Sequence, residues 1–98
     1  MEVKKTVEDG KTVVSLIGEV DSTNAADFET DLKAAVAGET EAVLDLAGLE
    51  YVSSAGLRVF LMVQKMFGNR HNLTLVHVNE EVADIFKVTG FSRLLNIK

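Results

Sequence analysis

The sequence predicts an α/β domain on a mixed sheet, with a parallel centre and an antiparallel hairpin at its start. Three observations carry this. Periodic segments follow the order β-β-α-β-α-β-α-β, with room for one helix in each crossover between the later strands. Ala42-Val43-Leu44-Asp45-Leu46 and Leu73-Thr74-Leu75-Val76-His77-Val78 are short, mostly apolar runs of the kind found in buried parallel strands. The first two β-rich runs are joined by Asp9-Gly10, both residues that tolerate the positive φ of a tight hairpin.

Val3 to Glu8 and Thr12 to Gly18 form that hairpin. Ser22-Thr23-Asn24 then supplies capping oxygens for a first helix, in which Ala25, Phe28, Leu32, Ala35 and Val36 recur at helical spacing and Gly38 ends the run. After the Ala42–Leu46 strand comes a short turn, then a second helix from Leu57 to Phe67, stopped by Gly68-Asn69. Asn79 caps a third helix with Glu80 and Glu81 in its first turn, Val82, Ile85 and Phe86 on its apolar side and Gly90 at its end. Leu94-Leu95-Asn96-Ile97 reads as a last strand or a terminal turn. Three to four helices are expected in all.

Composition narrows the function. The 98 residues suffice for one domain, 1–98, with a single core. Apolar residues make up 47% of the chain against 26% charged, a balance that folds. Cysteine is absent, which excludes disulfides and thiolate metal sites. Met1-Glu2-Val3-Lys4-Lys5 has no apolar signal core, and no run reaches membrane-spanning length, so the expectation is a cytoplasmic protein without a membrane partner. The net charge of −5, with no basic cluster beyond Lys4-Lys5, argues against nucleic acid.

No catalytic constellation emerges. His71 and His77 lie six residues apart with no cysteine near and do not read as a metal pair. His77 is expected in or beside its strand and His71 in a solvated turn. Glycines occur singly, so neither a phosphate-cradling loop nor a dinucleotide fingerprint is present, and no cofactor is called for. Glu19 and Asp21 flank Val20, and strand alternation would put both carboxylates on one side, more often a solvated strand end than an acid–base pair.

The segment Asp45 to Leu61 holds the strongest signal. Two serines, Ser53 and Ser54, stand before an apolar helical segment, where unpaired N–H groups and the positive end of the dipole favour negative charge. Such a place suits a phosphate that is put on and taken off; it is equally an ordinary helix N-cap. At about 100° per residue, Arg58, Lys65 and Asn69 share one stripe that should face solvent. Leu61 and Met62 fall inside it, with Ser54 one turn before Arg58. Leu57, Val59, Phe60, Val63, Met66 and Phe67 fill the other sides and should meet the sheet and the neighbouring helices. A serine, cations and two apolar anchors along one line fit a protein-docking surface with a switch at its edge, and plain burial of a nearly all-apolar helix is the competing reading.

These residues resemble a known family. Gly18-Glu19-Val20-Asp21 is similar to its Gly-Glu-Leu-Asp signature. Val43 to Leu61, with Tyr51-Val52-Ser53-Ser54-Ala55-Gly56-Leu57, resembles its apolar strand, phosphoserine loop and helix. Ile85-Phe86-Lys87-Val88-Thr89-Gly90-Phe91 and Leu94 to Ile97 resemble its third helix and terminal segment. The chain is thereby similar, over essentially its whole length, to the STAS domain, specifically the stand-alone anti-sigma factor antagonists of bacteria. The resemblance implies a non-enzymatic partner-switching protein. Its unphosphorylated form would bind an anti-sigma factor with serine kinase activity and so free a sigma factor. The kinase would switch it off by phosphorylating Ser54, with Ser53 as the alternative, and a serine phosphatase would restore it. The family usually has aspartate where this chain has Ser53. Glu19, Asp21, Ser22, Ser53, Ser54, Ala55 and Gly56 would meet the partner together with Arg58, Leu61, Met62 and Lys65. A STAS module regulating another assembly, such as a transporter, is the second reading.

Overall fold

The computed structural model describes all 98 residues, Met1 to Lys98. Its elements are β1 (Glu2–Glu8), β2 (Lys11–Val20), α1 (Ala25–Val36), β3 (Ala42–Val52), α2 (Ser54–Phe67), β4 (Leu73–Val76), α3 (Glu80–Val88) and β5 (Asn96–Ile97). Short 3₁₀ turns at Arg70–Asn72 and Phe91–Arg93 lead into β4 and β5. The five strands lie in chain order; β1 and β2 are antiparallel and every later pair is parallel, as the segment order predicts. Asp9 (φ 52°) and Gly10 (φ 79°) make the tight turn between Glu8 and Lys11.

One face of the sheet is apolar. Val14 and Leu16 of β2, Leu44 and Leu46 of β3, and Leu73 and Leu75 of β4 are fully buried there at strand-alternate positions. The helices close over them. Phe60 of α2 meets Phe28 of α1 edge-on, ring centres 5.6 Å apart, and Phe86 of α3 at 5.7 Å. One aromatic from each helix thus joins the three into a single core of 21 buried residues.

Several local expectations are corrected. β3 runs through Val52 rather than stopping at Leu46. Its buried residues, Ala42, Leu44, Leu46, Leu49 and Val52, are spaced by two, two, three and three, because β3 carries one extra residue against β2 twice, between Asp45 and Gly48 and between Leu49 and Tyr51. The first irregularity brings Gly48 against Ile17, where a Cβ would lie 2.9 Å from Ile17 Cγ1. α2 starts at Ser54, three residues before the expected Leu57. The side chains of Ser22, Thr23 and Asn24 do not cap α1; the N–H of Ala25 bonds instead to the carbonyl of Asp21 at 3.0 Å. His77 is exposed past the end of β4 at φ 58°, with Nδ1 3.0 Å from Asp45 Oδ1, whereas His71 lies in a solvated turn as expected. The terminal segment supplies both a turn and a strand.

On α2 the solvent stripe is as predicted, with Ser54, Arg58, Lys65 and Asn69 exposed. The core side differs. Met66, expected inside, is half exposed, and Gln64 is buried. Helix geometry alone does not tell which flank of an almost wholly apolar helix its neighbours will cover.

Candidate functional site

All three helices follow parallel strands, so their N-termini gather at the carboxyl ends of β2, β3 and β4. β3 ends with Val52 paired to Val20, and the N–H of Ser53 donates to the Val20 carbonyl at 2.8 Å. Ser53 then takes an extended conformation, its carbonyl accepting from the N–H of Leu57 at 2.9 Å and its Oγ from that of Gly56 at 3.4 Å. Ser53 is therefore the cap, through a long side-chain bond. Ser54 is the first helical residue, exposed, and its hydroxyl makes no hydrogen bond. Position before the helix leaves either serine able to cap it, and the turn separates them: the Ser53 hydroxyl faces its own backbone and that of Ser54 is exposed.

Gly56 explains why the turn can close. A Cβ there would lie 2.6 Å from Val52 Cγ2 and 2.7 Å from Val20 Cγ1. The first turn of α2 rests directly on the ends of two strands, and only a hydrogen fits between them.

Electrostatically, α2 stands apart. The first turn of α1 carries Asp27 and that of α3 carries Glu80 and Glu81, but that of α2 carries no acid. The positive end of its dipole faces solvent with only a weak cap. Acids surround it at a distance: Glu19 and Glu50 are exposed at the ends of β2 and β3, and the Asn79 side chain donates to the Leu49 carbonyl at 2.8 Å, holding Glu80 and Glu81 beside the end of β3.

Asp21 has a different task from the one alternation suggests. β2 ends at Val20, and the Asp21 carboxylate accepts from the Thr23 hydroxyl at 2.5 Å and the Thr23 N–H at 2.8 Å. The hydroxyl foremost, then the N–H, hold its carboxyl below the usual carboxylate range, against a smaller opposing effect of desolvation. Asn24 reaches back to the Asp21 N–H and the Glu19 carbonyl, both at 2.9 Å. This turn sets the start of α1 beside α2, and exposed Ser22 sits at its apex.

The sequence reading missed the surface that results. Ala25 and Ala26 of α1 face Ala55, Arg58, Leu61 and Met62 of α2 across an open, mainly apolar groove. Leu61 and Met62 are half-buried walls of this groove rather than isolated exposed anchors. On the α1 side the groove is lined by the adjacent Ala25 and Ala26 and by Glu29, residues that carry no docking signal in the sequence. Away from the site, Asp45 and His77 form an exposed pair. Burial of Asp45 opposes ionisation, but the Ala47 N–H and His77 together outweigh it and leave the carboxyl below its ordinary range. No group of three or more His, Cys, Asp or Glu is arranged to hold a metal ion.

The family profile described as "Mlab, STAS domain" matches residues 3–96. The chain is 42% identical to BtrV of Bordetella bronchiseptica, a candidate anti-sigma factor antagonist, over 85 residues that make up 85% of this chain and 73% of BtrV. Its fold matches the crystal structure of an anti-sigma factor antagonist from Mycobacterium paratuberculosis with a TM-score of 0.86 at 25% identity, covering 98% of this chain and 83% of that one. It also matches SpoIIAA, an anti-sigma factor antagonist in its unphosphorylated form, with a TM-score of 0.75 at 15% identity over 99% of this chain and 88% of that one; this second likeness bears on the fold alone.

Proposed function

This chain belongs to the STAS-domain family, in which the anti-sigma factor antagonists are regulatory rather than catalytic, and we propose that it is such an antagonist, switched by phosphorylation of Ser54. In this reading the unphosphorylated protein binds an anti-sigma factor with serine kinase activity in the cytoplasm and so releases a sigma factor. A serine phosphatase resets it. The partner docks over Ser54 and the α1–α2 groove, with Arg58 and Lys65 on the rim and Leu61 and Met62 as apolar contacts. No helix is long and apolar enough to cross a membrane, which agrees with a partner met in solution.

One observation carries the choice of serine. Ser54 has an exposed, unbonded hydroxyl at the start of the only α-helix without an acid in its first turn. Phosphate adds roughly −1.5 to −2 charges and three acceptor oxygens, and the backbone N–H groups at that helix start suit them. The fold therefore tolerates the modified residue, and the cost falls on the partner, which loses its close fit at Ser54.

The test is to treat the purified protein with its cognate kinase and ATP, map the phosphate and measure partner affinity. Phosphate on Ser54 with a dissociation constant raised about a thousandfold, about 4 kcal/mol, is expected. Ser54→Ala should bind normally and escape inactivation. Phosphate confined to Ser53 would overturn the assignment. Leu61→Glu should abolish binding with the circular dichroism spectrum unchanged, since a carboxylate in the groove wall removes an apolar contact with the partner but can itself reach solvent, Arg58 and Lys65; loss of folding would place Leu61 in the core instead.

A further inference from the structure

We propose that the end of α3 and the turn after it form a second docking surface, taking an acidic protein segment that carries an apolar anchor. This goes beyond the reading of Ser54 and does not depend on it. The chain's charge is unevenly divided: residues 58–98 hold six of the ten Lys and Arg but three of the fifteen Asp and Glu. In the first half Lys4, Lys5 and Lys33 each lie within 4 Å of a glutamate, whereas none of the six cations after residue 57 has a carboxylate that close.

Three of the six belong to the end of α3, the turn after it and the turn bonded to that one. Lys87 is in the last turn of α3, and Gly90 at φ 82° swings the chain into the turn that holds Arg93. Arg70, from the turn before β4, donates through Nη1 to the Arg93 carbonyl at 2.8 Å, which pins its guanidinium against that turn with other N–H groups free. Next to Lys87 and Arg93 in the chain stand Val88, 86% exposed and the most exposed large apolar side chain of the molecule, and Leu94 at 47%. The nearest acid in sequence, Asp84, sits one turn before Val88 and makes no ion pair. Unpaired cations around protruding aliphatic side chains complement carboxylates around an apolar residue. An anionic lipid surface is the weaker fit, because the whole chain carries −5 and would be repelled from it. The ridge lies at the C-terminal ends of α2 and α3, about 20 Å of helix from Ser54, so both surfaces can be occupied together.

The experiment is an amide NMR titration of the whole chain with a synthetic glutamate-rich peptide bearing one central leucine. Shifts confined to Arg70 and to residues 87–94, an affinity that falls as salt is raised, and a dissociation constant at least about tenfold higher for Lys87→Glu/Arg93→Glu are expected. Neither changed side chain makes a hydrogen bond or ion pair, so the variant should fold. Val88→Ser should weaken binding without altering its salt dependence. The proposal is overturned if shifts fall instead around Ser54 or if the double variant binds unchanged. It is equally overturned if phosphatidylglycerol vesicles bind where the peptide does not, or if the shifts follow protein concentration alone and report a second copy. Affinity for an anti-sigma partner should be the same in the double variant, so failure here leaves the Ser54 reading intact.

Discussion

The starts of α2 and α3 are built from the same vocabulary and finished differently. Each is entered from a strand through a residue with an extended conformation and a side-chain oxygen, Ser53 or Asn79. Asn79 accepts from the Val82 N–H at 2.8 Å, donates to the Leu49 carbonyl at 2.8 Å and is followed by Glu80 and Glu81. Ser53 makes one long bond of 3.4 Å and is followed by Ser54, Ala55 and Gly56. The first terminus is electrostatically and sterically complete. The second is held by close packing at Gly56 and left open in charge. Closing α3 favours stability, whereas leaving α2 open allows a negative charge to come and go.

This contrast can be broken at its strongest point first. Gly56→Ala drives a methyl against Val52 and Val20, so it should destabilise by about 1–3 kcal/mol in urea unfolding. A neutral result would mean the first turn of α2 shifts freely and packing does not hold it. Asn79→Ala removes a short cap and a tie to β3 and should cost about 1–2 kcal/mol. Ser53→Ala should cost less, about 0.5 kcal/mol, because its bond is long; equal losses at the two caps would erase the distinction between the helices. The smallest effect sharpens it most. Ser54→Asp should raise stability by about 0.3–1 kcal/mol through the uncompensated dipole, with partner affinity reduced. A melting temperature that falls on phosphorylation would point to a switch acting by unfolding rather than by blocking a surface.

How far the sequence could be read follows from the range of each interaction. The Asp9-Gly10 hairpin, the Asn79 cap and the alternation of Leu73 and Leu75 are local, set by conformational preference and hydrogen bonds a few residues apart. They were legible for that reason. The continuation of β3 was not, since its two irregularities exist only against β2, and a buried spacing that changes from two to three imitates a turn. The α1 wall of the groove was hidden likewise: two alanines signal nothing until the Asp21 turn sets them opposite Leu61 and Met62.

By itself the sequence determined the α/β class, the order of strands and helices, the solvent stripe of α2 and the pair of serines at its head, because periodicity and capping chemistry act along the chain. Only the tertiary structure decided which serine does what. The bond from Ser53 to Val20 and the contact of Gly56 with Val20 join residues more than thirty positions apart. Those contacts turn the Ser53 hydroxyl inward as a cap and leave the Ser54 hydroxyl free in solvent.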